Sequence, residues 1–466
     1  MQIFNEYHLH YILITIKTNA MKKIIITSSL ILILGLFSCK KETITSTSPE
    51  EIATGKPPSN PPPPTTSILQ WQKTYGSSSN ELGYVITKTS DGSGYVFVGS
   101  ALGNGGDISG HHGGIGADAW VVKINNTGSI DWQKCLGGTK SDYAYDIITT
   151  TDGGYLFAGA TGSNDGDITN NHGGNDLWVV KLDASGMITF QKTFGGTGDD
   201  GATSIIETAD GGFLIAGYSS SNDGDILGTN HGAADVWVLK LNSSGNIEWQ
   251  KLYGGSGGES SYPITIISSA DGNYMVSATT NSTNGDVIGN HGGNDCWLFK
   301  INGNGDLLWQ KTYGGSQNDY CNAVMKTADG SYIFSGGSSL GDAWIVKVDA
   351  NGTIAWQKFY GGNDGDYAAI KDIDANGNIV LVGYTFSKNG DIPASKGGED
   401  LWILRLDPSG NKLYSNVFGG RGGDMASDAV ATADGGYITT GRSNSTNGDV
   451  SGNHGGEDVW VVKFKF

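Results

Sequence analysis

The sequence predicts an all-β fold, a closed seven-bladed β-propeller of four-stranded antiparallel blades, and three observations point there. Asp-x-Trp recurs at Asp118, Asp176, Asp235, Asp295, Asp342, Asp400 and Asp458, spaced by 58, 59, 60, 47, 58 and 58 residues. A second aromatic column runs through Trp71, Trp132, Phe190, Trp249, Trp309, Trp356 and Tyr414, mostly followed by Gln-Lys, and the two columns together hold all twelve tryptophans. The 74 glycines among 466 residues, with aromatics still at 10%, exclude both helical bundles and disordered chains. At roughly 150 residues per domain the length suggests about three domains, but the repeat overrides that count: residues 68–466 are seven copies of one unit.

The chain in order begins with residues 1–20, which read as an upstream start-site artefact, because Met21 opens a complete leader without them. Residues 21–38 are a signal peptide: Met21-Lys-Lys, an apolar run too short for a stop-transfer helix, then Leu36-Phe37-Ser38 before Cys39. Leu-Phe-Ser-Cys resembles the lipobox of bacterial lipoproteins. That resemblance implies lipidation at Cys39 and, with Lys40 rather than Asp next, an outer-membrane or cell-surface location in a Gram-negative bacterium. Residues 39–67 form a tether; positions 40–67 alone hold seven of the ten prolines, too little apolar surface to offset ordering entropy.

Each repeat supplies four short segments rich in β-branched and aromatic residues, such as Trp120–Ile124, Ile130–Lys134, Asp146–Thr150 and Tyr155–Gly159. Four-residue turns, Asn126–Ser129 and Thr151–Gly154, join pairs of them, with glycine free to take positive φ. The chain enters on the Trp71 segment and leaves on the Trp460 segment, which are hairpin partners elsewhere, so its ends complete one shared blade. Val122 to Trp132 and Val180 to Phe190 resemble the Asp-x-x-Thr-Gly-x-x-x-Trp docking motif of quinoprotein-type propellers, and the long repeats resemble those of β-propeller surface lipoproteins. The resemblance implies the fold alone. Quinoprotein dehydrogenases have eight blades and a calcium-held cofactor, whereas seven units stand here.

A formal net charge of −18 repels phosphate backbones, which excludes nucleic acid as a partner and leaves the membrane reached only through the lipid. The tryptophans read as blade packing. The basic residue five places after each repeat Asp (Lys123, Lys181, Lys240, Lys300, Lys347, Arg405, Lys463) is expected to meet a carboxylate of the neighbouring blade, or else to form a ring near the axis. The functional candidates are the long loops before Asp-x-Trp, which contain every histidine outside the leader. Two readings compete for them. Asn164, Asp165, Asp167, Asp176, Asp223, Asp225, Asp235, Asp286, Asp295, Asp449 and Asp458 could supply oxygen ligands for Ca²⁺. Alternatively, the acids cap turns while His112, His172, His231, His291 and His454 pin the loops, the favoured reading because Lys396 replaces His in the sixth unit. The fifth unit omits the loop. No nucleophile elbow, zincin motif or P-loop is present, and near-identical copies argue against a unique acid and base. The expectation is a monomeric propeller acting as a non-catalytic binding module or scaffold for a glycan or protein; the alternative is a secreted glycoside hydrolase or lyase working at the propeller centre.

Overall fold

The computed structural model describes residues 68–259, 263–338 and 341–466; the leader, Cys39 and the tether lie outside these residues. Seven four-stranded antiparallel sheets follow one another around an axis, as the repeat spacing requires. Blade 1 comprises Glu81–Lys88, Gly94–Ala101, Asp118–Asn125 and Ile130–Leu136. Blade 2 comprises Asp142–Thr149, Tyr155–Thr161, Asp176–Leu182 and Ile188–Phe194, and blade 3 Asp200–Glu207, Phe213–Ser219, Asp235–Leu241 and Ile247–Tyr253. Blade 4 holds Thr265–Ser268, Tyr274–Thr280, Asp295–Ile301 and Leu307–Tyr313; blade 5 holds Tyr320–Lys326, Tyr332–Gly337, Ala343–Val348 and Ile354–Tyr360. Blade 6 holds Asp366–Ile373, Ile379–Thr385, Asp400–Leu406 and Lys412–Phe418.

Blade 7 combines Asp424–Ala431, Tyr437–Ser443 and Asp458–Lys465 with the first strand of the chain, Ile68–Tyr75. Trp71 pairs with Lys463 and Tyr75 with Val459, so the two ends zip the ring shut. The first strand of each blade packs against the first strand of the next, which makes it the innermost; the Trp-Gln-Lys strand is outermost.

Both faces of a blade are covered by neighbours, so the third strands are buried along most or all of their length and show no inside–outside alternation. Trp178 of blade 2 packs on Val96, Val98 and Val121 of blade 1, and its indole N–H donates to Gln191 on its own outermost strand at 3.2 Å. The outer column does a second job. Trp132 of blade 1 lies over Gly186 in the turn of blade 2, where φ is +80° and a Cβ would come within 3.1 Å of the ring. Trp71 over Gly128 and Trp249 over Gly305 repeat the contact, which is the docking expected from the Thr-Gly motif.

The basic column behaves differently from either expectation. Lys181 pairs with Asp152 at 2.8 Å, Lys300 with Asp271 at 2.7 Å and Lys347 with Asp329 at 2.8 Å, each in the turn between the first two strands of its own blade. The third strand ends beside that turn, on the side of the ring away from the long loops, so the ammonium reaches the Asp-Gly turn of its own sheet and no axial ring forms. Burial alone would raise the Asp152 carboxyl, but Lys181 and the Thr150 hydroxyl hold it at about 2.

Cys296, on the third strand of blade 4, and Cys321, on the innermost strand of blade 5, form a buried disulfide. Their spacing gave no motif from which to read the pairing. Among the described residues no helix is long and apolar enough to cross a membrane.

Candidate functional site

One side of the ring carries both the long loops, between second and third strands, and the connections from each outermost strand to the next innermost strand. In those connections the chain reads Gly-Gly or Gly-Ser, then Asp or Glu five places after the first Gly: Gly76 to Glu81, Gly137 to Asp142, Gly195 to Asp200, Gly254 to Glu259, Gly314 to Asp319, Gly361 to Asp366 and Gly419 to Asp424. Sequence reasoning missed this carboxylate column, although its spacing is as regular as that of Asp-x-Trp. Each member is buried and held by its own blade: Asp142 accepts from Gly138 N at 2.8 Å, from the Ser163 hydroxyl at 2.7 Å and from Thr161.

The long loop is fastened onto that connection. In blade 2, Asp167 accepts from Gly137 N at 3.1 Å and returns its own N–H to Gly137 O at 2.8 Å, while Asp165 takes Thr139 N and the Thr139 hydroxyl, each at 2.8 Å. Asp223 and Asp225 repeat this in blade 3 on Thr197 and Gly195. Asp286 does so on Gly254 and Asp449 on Gly419, with Asn284 and Asn447 in the Asp165 position. The side chain of Asn164 lines an open cavity of about 510 Å³ with Asn171, His172 and Asp225.

The histidines close the other end of the loop. His172 donates its backbone N–H to Oδ2 of Asp176 at 2.9 Å and places Nδ1 2.7 Å from the same oxygen. His112 with Asp118, His231 with Asp235, His291 with Asp295 and His454 with Asp458 do the same at 2.5–2.8 Å. Nε2 then points to the next blade: 3.5 Å from Asp167 for His112 and 3.8 Å from Asp225 for His172. Lys396 keeps both contacts, its N–H on Asp400 and its ammonium on Asp449 of blade 7. A cation or imidazole at this position therefore ties the loops of blades 1, 2 and 6 to their neighbours, which explains why Lys can stand for His.

These placements separate the loop acids as ligands. Asp165, Asp167 and Asp176 point at different donors, and among the described residues no three His, Cys, Asp or Glu side chains converge as a metal cluster. What does converge is a pair of buried carboxylates at each junction. A Cβ on Gly254 would lie 2.5 Å from Asp235 Oδ1 and 2.4 Å from Glu259 Oε2; on Gly76 it would lie 2.8 Å from Asp458 Oδ1 and 2.5 Å from Glu81 Oε2. Glycine is thus compulsory there. The Oδ1 atoms of Asp118, Asp176, Asp235, Asp295, Asp400 and Asp458 have no hydrogen-bond donor. Burial, with the charge of Asp235 adding, raises Glu259; burial, with the charge of Asp458 adding, raises Glu81; and burial raises Asp235 and Asp458 likewise, so a pair holds a proton more readily than a lone carboxylate.

Around the axis the sevenfold pattern breaks. Near the starts of innermost strands stand Tyr84, Tyr143, Tyr145, Tyr320 and Tyr367: Tyr143 stacks on Tyr145 at 5.6 Å, and Tyr367 on Tyr384 at 5.3 Å. Arg442 bridges Glu457 at 2.7 Å and Glu399 at 3.0 Å. Midway down, a β-bulge turns Asp146 of blade 2 and Asp428 of blade 7 toward the next blade, where they accept Ile205 N at 2.8 Å and Ile86 N at 3.0 Å; Lys371 lies 3.1 Å from Asp428. Burial, with the charge of Asp428 adding, pushes Asp146 up to about 7. The repeat spacing does not show that these axial residues meet, because only closure of the ring brings them together.

No protein-family model matches the chain, and a search of curated proteins finds no match. Among solved structures, the hydrazine synthase of Kuenenia stuttgartiensis is similar at 13% identity and TM-score 0.46, over 77% of this chain and 92% of that one. The Pan2 WD40 domain of Neurospora crassa is similar at 10% identity and TM-score 0.46, over 81% and 88% respectively. A protein of unknown function from Bacteroides caccae gives 13% identity and TM-score 0.37 over 64% and 89%. The seven sheets and the paired chain ends make this protein a seven-bladed β-propeller.

Proposed function

We propose that the protein is a surface or periplasm-facing lipoprotein, anchored through Cys39, whose propeller is a non-catalytic binding module for a glycan or a protein at the loop-bearing side of the ring. The observation that supports this most is the asymmetric tyrosine group around the axis, with its two stacked pairs and the nearby Arg442. Tyrosine and arginine offer wide contact area and hydrogen bonding at low entropic cost. The loop carboxylates and histidines, engaged with backbone groups, act as the rigid frame around it. The buried disulfide suits an oxidising compartment, as a lipoprotein leader requires. A sequence resemblance to quinoprotein-type propellers adds no cofactor to this reading.

A second reading, a carbohydrate-active enzyme acting at the centre, is favoured by two carboxylates on innermost strands, Asp146 and Asp428, with burial and then the charge of Asp428 raising Asp146 toward the range a general acid needs near neutral pH. The two are separated by glycan and protein binding screens run beside reducing-sugar release. The binding reading predicts saturable binding that Tyr367→Ala weakens and Asp146→Asn leaves intact, with no sugar released from any polysaccharide. Turnover lost in Asp146→Asn would establish the enzyme instead.

A further inference from the structure

Blade 5 lacks the long loop, and among the described residues nothing fills the place that the loop covers in the other six blades. Elsewhere the loop inserts an aliphatic residue beside the third-strand tryptophan: Ile168 beside Trp178, Ile226 beside Trp237, Val287 beside Trp297 and Val450 beside Trp460, all buried. Among the described residues no such residue joins the core around Trp344. In its place is a groove of about 420 Å³, lined by Trp344, Phe359, Ile354, Gln357 and the Gly314–Gln317 connection, with His291 of blade 4 at its edge. Phe359 stacks on Trp344 at 6.2 Å and is 46% exposed; in blade 2 the same position is Thr193, bonded to the loop backbone at 2.9 and 3.0 Å.

The polar groups of the groove are those that a loop would satisfy. The glycine equivalent to Gly314 donates its N–H to a loop Asp in all six other blades, at 3.0–3.3 Å. That same Asp returns its backbone N–H to the glycine carbonyl at 2.8–3.0 Å. The residue equivalent to Ser316 gives its N–H to a loop Asp or Asn in five of them, at 2.7–3.0 Å. The glutamine equivalent to Gln357 donates to the loop at Gln133, Gln191 and Gln250. Among the described residues Gly314 N, Ser316 N and the Gln357 amide have no such acceptor, and His291 has no blade 5 carboxylate opposite its Nε2.

We propose that this groove receives a segment of a partner protein with the chemistry of the missing loop, an extended acidic peptide of the form Asp-Gly-Asp followed by Ile or Val. The carboxylate would take Gly314 N and His291, the first acidic side chain Ser316 N, and the aliphatic group the Trp344 and Phe359 faces. A peptide fits better than an acidic glycan because the Gly314 carbonyl calls for an N–H on the same residue that brings the carboxylate, as Asp167 and Asp225 each provide to their glycines. The inference rests on the binding-module reading and names its partner class.

The test is a fluorescence titration of the full protein with a synthetic peptide copying residues 163–170, Ser-Asn-Asp-Gly-Asp-Ile-Thr-Asn. Saturable binding is expected, weakened about ten-fold or more when the second Asp of the peptide is replaced by Asn, the loss of one charged hydrogen bond. Ser316→Pro, which removes an N–H, and Gln357→Leu should each weaken it similarly, in proteins whose melting temperature is unchanged. No binding, or binding indifferent to both variants, overturns the proposal. So does binding of polygalacturonate, but not the peptide, with the same sensitivity to the variants. The axial assay with Tyr367→Ala decides the broader reading separately.

Discussion

His172 shows how a loop side chain can look catalytic in sequence and serve structure. Its N–H and Nδ1 both rest on Asp176, and its Nε2 faces the next blade. Replacing it with Ala should leave a buried carboxylate short of its donor and lower stability by about 1–2 kcal/mol. His172→Lys should lose markedly less, because Lys396 already does this work in blade 6; chemical denaturation of the two variants decides it. Asp146 makes a pH prediction. Its folded value of about 7 is raised above the ordinary 3.8, so its stabilising contribution is full below the unfolded value and is lost as pH rises through 7. The raised values of Glu81, Glu259 and Asp458 slope the same way. Stability should therefore fall between about pH 4 and 7, by up to about 1.4 kcal/mol per unit for Asp146 alone, and level off above 7, and Asp146→Asn should flatten the curve; an unchanged curve would contradict the assignment. The histidine pins were legible in the sequence, since one Lys in their column ruled against a strict ligand. Asp146 was not, because its neighbours come from other blades.

At the scale of elements, the blade 4–5 junction is the exception that the sequence announced by its short 47-residue spacing. With no loop in blade 5, His291 cannot reach across, and the Cys296–Cys321 disulfide ties the two blades instead. It closes 25 residues, so the double substitution Cys296→Ser, Cys321→Ser should cost about 3 kcal/mol in urea unfolding; a loss below about 1 kcal/mol would show that the junction is held by packing alone. Strand positions and turns were readable because Asp-Gly or Asn-Gly in the first turn, and Thr-Gly, Ser-Gly or Asn-Gly in the last, punctuate the repeats. The carboxylate after Gly-Gly went unread for a physical reason: its meaning lies in a contact with the previous blade's Asp, not in any local structure. The partner of each Lys was misplaced for a related reason, since the offset from Asp says which face it occupies but not which turn lies at the strand's end.

For the whole molecule, closure by Ile68–Tyr75 and Asp458–Lys465 makes seven junctions equivalent in outline. Six are fastened by a loop whose acids grip the connection below it, and one is stapled covalently and left open above. The proposed function rests on that difference: the repeated acids hold the frame, and the places where the repeat fails, the axial tyrosines and the blade 5 groove, are where we propose that a partner meets the protein. Because the loop carboxylates bind backbone donors, thermal melting in EDTA and then in excess Ca²⁺ tests most directly whether they also hold metal. The same melting temperature is expected in both, while a rise of several degrees with Ca²⁺ that EDTA reverses would mean that the loops bind the ion and that their acids are not merely structural.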